Sequence, residues 1–166
     1  MKHLKTAVLA ASLLLAAAAQ AGGNPYRQSY GTWEETVGKN GKASAERFVI
    51  GRHGFEEFAA PRPECANRKQ GYSHQTDRIG GSKLAADIRA SIKDDGIGSP
   101  QEAAEAYAAS LRDVLAEIRP DKKYPRVSLS LSCSDGAMVF IQLNRNEGLR
   151  MYSAPDAYYL PVRRVK

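Results

Sequence analysis

The feature that most constrains the fold of this chain is a strict two-residue alternation near its C-terminus. Apolar side chains stand at Val127, Leu129, Leu131 and Cys133, and a serine occupies each position between them. Because successive side chains of a β-strand point to opposite faces, this pattern predicts a strand with one buried and one polar face. The following segments predict three more strands, over residues 137–143, 149–153 and 158–162, with turns at 134–136 and 144–148. The C-terminal part of the chain is therefore predicted to be an antiparallel β-meander.

The last of these predicted strands contains a proline. Pro161 has no backbone N–H, so it cannot donate a hydrogen bond to a neighbouring strand. Within sheets, proline is therefore confined mainly to edge strands. We expect residues 158–162 to lie at an edge of the sheet.

An Asn-Gly pair predicts a β-hairpin near the N-terminus. Asn40 and Gly41 separate residues 30–37, which include Trp33, from residues 44–50, which end in three apolar residues. Both turn residues tolerate positive φ, the backbone conformation that a tight hairpin turn requires. The alternative is a helical turn that begins at residue 43.

Two amphipathic helices are predicted in the middle of the chain. The first lies between Ser82, a suitable N-cap, and Gly96, a suitable C-terminal stop. The second begins with the capping-box pattern of Ser99 and Glu102 and ends before Pro120. Apolar residues repeat at helical spacing in both: Leu84, Ala85, Ile88 and Ile92, then Ala103, Tyr107, Leu111, Val114, Leu115 and Ile118. The order of these elements predicts an α+β fold with an N-terminal β-hairpin, two central α-helices and a C-terminal antiparallel β-meander.

The first twenty-one residues have the layout of a cleaved secretory signal. Two lysines make the start positively charged, residues 7–19 are almost entirely apolar, and residues 19–21 form a small-x-small cleavage site. The apolar run is shorter than the roughly 20 residues of a membrane-spanning helix. We predict cleavage after Ala21 and a single exported domain over residues 22–166, located in the periplasm or secreted.

The charge of the chain bears on its partners. The full chain has a formal net charge of +6, and removal of a signal with two lysines and no acid leaves +4. This mild excess favours an acidic partner, such as an anionic polymer of the bacterial envelope, or a protein. Nucleic acid is not expected, because export separates the chain from it. No later apolar run reaches the length of a membrane span, so no transmembrane segment is expected after cleavage.

The two cysteines of the chain, Cys65 and Cys133, predict one disulfide bond. An even number of cysteines in an exported chain favours a structural disulfide. The pair has no C-x-x-C spacing, which disfavours a redox motif. A pair of free thiols is the alternative.

Two polar segments rich in basic and aromatic residues are the candidate binding surfaces. Residues 65–81 show no regular periodicity and are predicted to be a loop, the kind of segment that often carries binding on a rigid scaffold. Near the C-terminus, tyrosines stand beside arginines, and both residue types anchor many interfaces. The candidate binding residues are Arg68, Lys69, Tyr72, His74 and Arg78 in the first segment, and Tyr158, Tyr159 and Arg163 in the second.

One short motif bears on catalysis. Residues 49–54 are an apolar run that continues into Arg52, His53 and Gly54. They resemble the motif of the histidine phosphatases, in which the arginine binds phosphate and the histidine attacks phosphorus. That family also uses a second arginine and a second histidine much later in the chain, whereas the only other histidine after the predicted cleavage site is His74, 21 residues on. We assign no catalytic residue, metal ligand or cofactor.

The expected function is therefore non-catalytic binding in the bacterial envelope. The most concrete version is an inhibitor or immunity-type protein that blocks an exported enzyme. Two alternatives stay open: a small exported hydrolase that uses His53 or His74, and a structural or assembly factor of the envelope.

Overall fold

The computed structural model describes residues 27–38, 41–52, 54–55, 72–94, 101–131, 137–152 and 158–165. Within these residues, eight strands form one antiparallel sheet and two α-helices pack against it. The strands are β1 Gly31–Glu35, β2 Arg47–Gly51, β3 Gly54–Phe55, β4 Tyr72–Gly80, β5 Lys123–Leu131, β6 Ala137–Gln142, β7 Glu147–Tyr152 and β8 Tyr158–Arg164. The helices are α1 Gly81–Asp94 and α2 Gln101–Glu117, and a 3-10 turn, Arg27–Ser29, precedes β1.

The prediction of an α+β fold built from an N-terminal β-hairpin, two central α-helices and a C-terminal β-meander is wrong, because one eight-stranded antiparallel sheet dominates the described residues. The strand order is β3-β2-β1-β8-β7-β6-β5-β4, so the N-terminal hairpin and the C-terminal strands belong to one sheet. The junction is the pairing of β1 with β8, in which Trp33 lies opposite Arg164 and Glu35 opposite Val162. A two-stranded hairpin is only marginally stable in water, and this pairing joins it to a larger sheet. The described fold is accordingly dominated by the sheet.

The predicted disulfide is not part of the described fold. Cys65 and Cys133 both lie outside the described residues, and no disulfide is found within them. Gly96, the predicted stop of the first helix, and Ser99, the predicted N-cap of the second, also lie outside these residues.

Part of the segment predicted to be a loop is a strand. β4 pairs with β5 along all nine of its residues, from Tyr72 opposite Leu131 to Gly80 opposite Lys123. Its sequence is mostly polar, so it lacks the alternation by which a half-buried strand is recognised. It forms because β5 supplies a continuous ladder of hydrogen-bonding partners, and it lies at the edge of the sheet.

The predicted edge position of residues 158–162 is also wrong, because β8 lies between β7 and β1. Pro161 pairs with Leu149 on the β7 side. On the other side β1 ends at Glu35, opposite Val162, so Pro161 lies just beyond the β1 ladder. There its carbonyl accepts a hydrogen bond from the backbone N–H of Thr36 at 3.0 Å. An interior strand tolerates this proline because the neighbouring strand has already ended.

The sheet is curled and buries apolar side chains on both faces. β3 contacts β5 although five strands separate them in the sheet order. The face away from the helices, called here the inner face, buries a cluster that contains Trp33, Phe48, Ile50, Phe55, Leu129, Met138, Phe140 and Val162. The helix face buries the second cluster, which includes Leu84, Ile88, Tyr107, Leu111, Ile141 and Leu149.

The helices are short and lie on one face of the sheet. α1 begins at Gly81, so Ser82 is not its N-cap as predicted, and its hydroxyl instead donates to the carbonyl of Pro120 at 3.2 Å. A Cβ atom at Gly81 would lie 2.0 Å from the carbonyl oxygen of Arg119, so this close approach requires glycine. None of the helices in the described residues has the length and apolar character needed to cross a membrane.

The apolar stripe of α2 leads to a stability prediction. Leu111 is fully buried against the sheet, and Leu111→Ala is expected to lower the free energy of unfolding by about 2–5 kcal/mol through lost contacts and a cavity. The adjacent exposed residue supplies the control, since Arg112→Ala is expected to change stability by no more than about 0.5 kcal/mol. Urea denaturation measures both. Equal midpoints for the two variants would contradict this placement of the core face.

Candidate functional site

A strongly basic cleft lies at one end of the sheet. It has a volume of about 710 Å³, and we call it the basic cleft. Its charged lining residues are Arg78, Lys122, Lys123, Arg145 and Arg164, and its other lining residues are Gln28, Pro125, Gln142, Leu143 and Asn144. Among the described residues that line it, no side chain is a carboxylate.

Strand register places three of the cleft cations, Arg78, Lys123 and Arg164, on one face of the sheet near the strand ends. Gly80 pairs with Lys123 on the β4–β5 ladder, and Arg78 stands two residues before it on the same face. In the antiparallel β5–β6 ladder, Arg126 pairs with Ile141. Lys123 comes three residues before Arg126 and Asn144 three residues after Ile141, so these two residues lie level with each other. Arg164 lies at the same level, and its backbone N–H donates to the carbonyl of Asn146 at 2.8 Å. These cations therefore form a row across the strand ends from β4 to β8, in which Lys123 and Arg164 are level and Arg78 lies two residues to one side.

Arg164 stands at the end of this row, where contacts with the surrounding backbone fix its side chain. Its guanidinium donates to the carbonyls of Gln28 at 2.6 Å and of Arg145 at 2.9 Å, and also to the carbonyl of Tyr30. Its guanidinium carbon also lies 4.5 Å from the centre of the Trp33 ring. These contacts hold the 3-10 turn and the β6–β7 turn together at the floor of the cleft.

The β6–β7 turn positions the cation at the centre of the row. The Asn144 side-chain oxygen accepts hydrogen bonds from the backbone N–H groups of Asn146 at 2.9 Å and Glu147 at 3.0 Å. Such a side-chain-to-backbone turn fixes the loop conformation, and the exposed Arg145 stands at its tip. Beneath it, the buried Gln142 side chain accepts a hydrogen bond from the hydroxyl of Ser29 at 2.6 Å and donates to the carbonyl of Asn144 at 2.9 Å.

The electrostatics of the cleft favour an anionic ligand. Burial, followed by repulsion from the neighbouring Arg145, lowers the pKa of Arg164. Arg78, Lys123 and Arg145 are exposed, and none of them forms an ion pair with another described residue. Lys122 is also exposed, and its ammonium donates to the carbonyl of Leu143 at 3.2 Å. An anion would relieve the repulsion between these like charges, and exposed guanidinium and ammonium groups are available to bind it.

Arg163, the residue before Arg164, contacts a different face of the sheet. Arg163 follows Val162 and precedes Arg164, so it points to the opposite face of β8. It donates to the Glu34 carboxylate at 2.8 Å, and Arg47 donates to the other oxygen of the same carboxylate at 2.8 Å. Hydrogen bonds from Arg163 and then from Arg47 lower the pKa of Glu34. Sequence neighbours in the basic tail are thus separated by strand alternation.

A second charged cluster lies beneath a pair of tyrosines. Arg150 and Glu35 are each only 3% exposed, and the guanidinium donates to the Glu35 carboxylate at 3.0 Å and to that of the exposed Glu46 at 2.9 Å. Burial, and then repulsion from Glu46, raises the pKa of Glu35. Tyr152 and Tyr158 stack above with ring centres 5.0 Å apart. We interpret this cluster as structural, because its buried cation contacts two carboxylates and two aromatic rings.

The structure places the predicted binding residues in different surroundings. Arg78 lines the basic cleft, Tyr158 belongs to the stacked pair, and Arg163 binds Glu34. Tyr159 is buried in the helix-face core, where burial raises its pKa to about 12. The remaining predictions are not placed: Arg68, Lys69 and His53 lie outside the described residues, as do the side chains of Tyr72 and His74.

Sequence reasoning missed most of the basic cleft. Lys122, Lys123 and Arg145 were not among the predicted binding residues, although all three flank turns of the meander. A search for basic residues at strand ends on the same side of the predicted meander would have found them. The described residues contain no group of three or more His, Cys, Asp or Glu side chains that could hold a metal ion. No protein-family model, curated protein or solved structure matches this chain.

Proposed function

We propose that this protein is a non-catalytic binding protein of the bacterial envelope that holds an anionic ligand in the basic cleft. The observation that carries the proposal is the row of cations across the strand ends, with no carboxylate among the described lining residues. The secretory-signal pattern of residues 1–21 supports action outside the cytoplasm, in the periplasm or after secretion.

The cleft is suited to binding because its scaffold is rigid while its cations are accessible. Arg164 and Gln142 are held by hydrogen bonds to backbone carbonyls, so the floor is preformed and little order has to be acquired on binding. Arg78, Lys123 and Arg145 stand above that floor and are exposed. Attraction between these charges and an anion also accelerates its encounter with the cleft.

Removal of the exposed cations tests the proposal. The triple variant Arg78→Ala, Lys123→Ala, Arg145→Ala is expected to bind long-chain inorganic polyphosphate about 10- to 100-fold more weakly than the wild type. Each exposed charge contact contributes up to about 1 kcal/mol, and 1.4 kcal/mol corresponds to a factor of ten. Isothermal titration calorimetry at constant ionic strength measures the affinity.

The chain offers a control with the same change of charge. Arg89, Lys93 and Arg112 are exposed on the two helices and do not line the basic cleft. The variant Arg89→Ala, Lys93→Ala, Arg112→Ala should therefore retain the wild-type affinity. Equal losses in the two triple variants would mean that net charge, not the cleft, drives binding. The melting temperature of the cleft variant should match that of the wild type.

A further inference from the structure

We infer that the ligand of the basic cleft is a linear polyanion, lying in extended form across the strand ends, rather than a single compact anion. This inference rests on the proposed function and adds the shape and charge pattern of the ligand. Its basis is the alignment of the cations along one direction, which a single anion would not need.

The dimensions of the row exceed those of a small anion. The row runs from Arg78 on β4 to Arg164 on β8, and the sheet order places four inter-strand steps between these strands. At about 4.8 Å for each step, the row is about 19 Å long. One phosphate or carboxylate could contact only neighbouring members of such a row. A chain with repeated charges could contact the exposed cations Arg78, Lys123 and Arg145 at once, within reach of the charge of Arg164.

The inner face of the sheet also favours a chain over a planar anionic surface. Gln142, a lining residue on the same face of β6 as the inner-face residues Met138 and Phe140, is almost completely buried, with 4% of its surface exposed. The cations therefore surround a concave floor instead of projecting from a flat face. A narrow polymer can enter such a cleft, whereas a membrane surface would contact only its rim.

Chain length is the variable that tests this inference. Affinities of the wild-type protein for tripolyphosphate and for long-chain polyphosphate are measured by calorimetry, with ligand concentration counted as phosphate groups. Counting phosphate groups corrects for the many overlapping positions at which the protein can bind along one long chain. We expect the long chain to bind at least tenfold more tightly, because each further cation is engaged as part of the same binding event. Equal affinities per phosphate would overturn the inference.

Single variants within the row supply a second readout. Arg78→Ala removes a cation from β4 and Arg145→Ala removes one from the β6–β7 turn, and β6 lies two inter-strand steps, about 10 Å, from β4. Both variants should weaken binding of the long chain, whereas tripolyphosphate should be weakened by at most one of them. Each substitution should also lower the salt dependence of the long-chain affinity, by about 0.7 in the slope of log K against log salt concentration. Long-chain binding that responds to only one of the two substitutions would contradict an extended ligand.

Vesicles that contain phosphatidylglycerol distinguish a polymer from a membrane. They should not displace long-chain polyphosphate from the protein at equal concentrations of anionic groups. Displacement that depends on the cleft cations would overturn the inference in favour of an anionic surface. If neither phosphate probe binds the wild type more tightly than it binds the triple cleft variant, the proposed function itself fails. If tripolyphosphate and the long chain bind equally and both depend on the cleft, the proposed function holds and only the inference fails.

Discussion

Arg150→Met is expected to lower the free energy of unfolding by about 3–5 kcal/mol, because it leaves the buried Glu35 carboxylate without its cation. Arg150 and Glu35 are both 3% exposed, and their ion pair spans 3.0 Å. The guanidinium carbon also lies 4.8 Å from the centre of the Phe48 ring and 4.7 Å from that of Tyr152. Methionine retains much of the apolar volume, so the loss reports mainly on the charge. Urea denaturation at neutral pH measures it.

The pH dependence separates lost charge from lost packing. The pKa of Glu35 is already raised from its ordinary value of 4.5, mainly by burial, and removal of Arg150 raises it further. A carboxyl whose pKa is raised by folding contributes stability at low pH, and this contribution is lost as pH rises through the folded-state pKa. The difference between Arg150→Met and wild type should therefore be smaller near pH 4.5 than at pH 7. A pH-independent difference would show that packing alone is lost.

A compensating substitution provides the matched control. The double variant Arg150→Met, Glu35→Gln has no buried charge at either position. Removal of both members of a buried ion pair is far less costly than removal of one. The double variant should therefore recover much of the stability lost in Arg150→Met. No recovery would show that the defect of Arg150→Met is steric and does not come from the unpaired charge.

Trp33→Ala is expected to lower the free energy of unfolding by about 3–5 kcal/mol, the range for a large aromatic side chain lost from a core. Trp33 is fully buried, and its ring centre lies 4.7 Å from that of Phe140. Its indole N–H donates to the carbonyl of Ser29 at 2.9 Å, and the Arg164 guanidinium stacks on its ring. One residue thus connects the inner-face core, the 3-10 turn and the floor of the basic cleft.

A conservative substitution at the same position tests this interpretation. Trp33→Phe retains an aromatic ring but loses the hydrogen bond to Ser29, so it should destabilise the fold less than Trp33→Ala. Differential scanning calorimetry compares the two variants. A loss below about 1 kcal/mol for Trp33→Ala would contradict the central position of this residue.

Local periodicity was enough to find the elements that bury their own apolar face. The second helix was predicted over residues 100–119 and extends over Gln101–Glu117, with Tyr107 and Leu111 buried as its spacing indicates. β5, β6 and β7 overlap the predicted meander strands, because alternation and turn residues are local properties of the chain, but β5 begins at Lys123, before the predicted start at Val127. β4 was not predicted as a strand because most of its residues are polar, and it is stabilised by its pairing with β5.

The candidate site depends on tertiary structure in a way that no local pattern records. Its cations come from β4, the start of β5, the β6–β7 turn and the end of β8, and strand pairing brings Arg78, Lys123 and Arg164 to one face near the strand ends. Alternation along β8 then sends Arg163 and Arg164 to opposite faces, although they are adjacent in the chain. The sequence by itself determined the short helices, the meander strands and the excess of basic residues. Only the tertiary structure decided which basic residues meet, because strand pairing joins residues that are distant along the chain, and its register depends on the packing of the whole sheet.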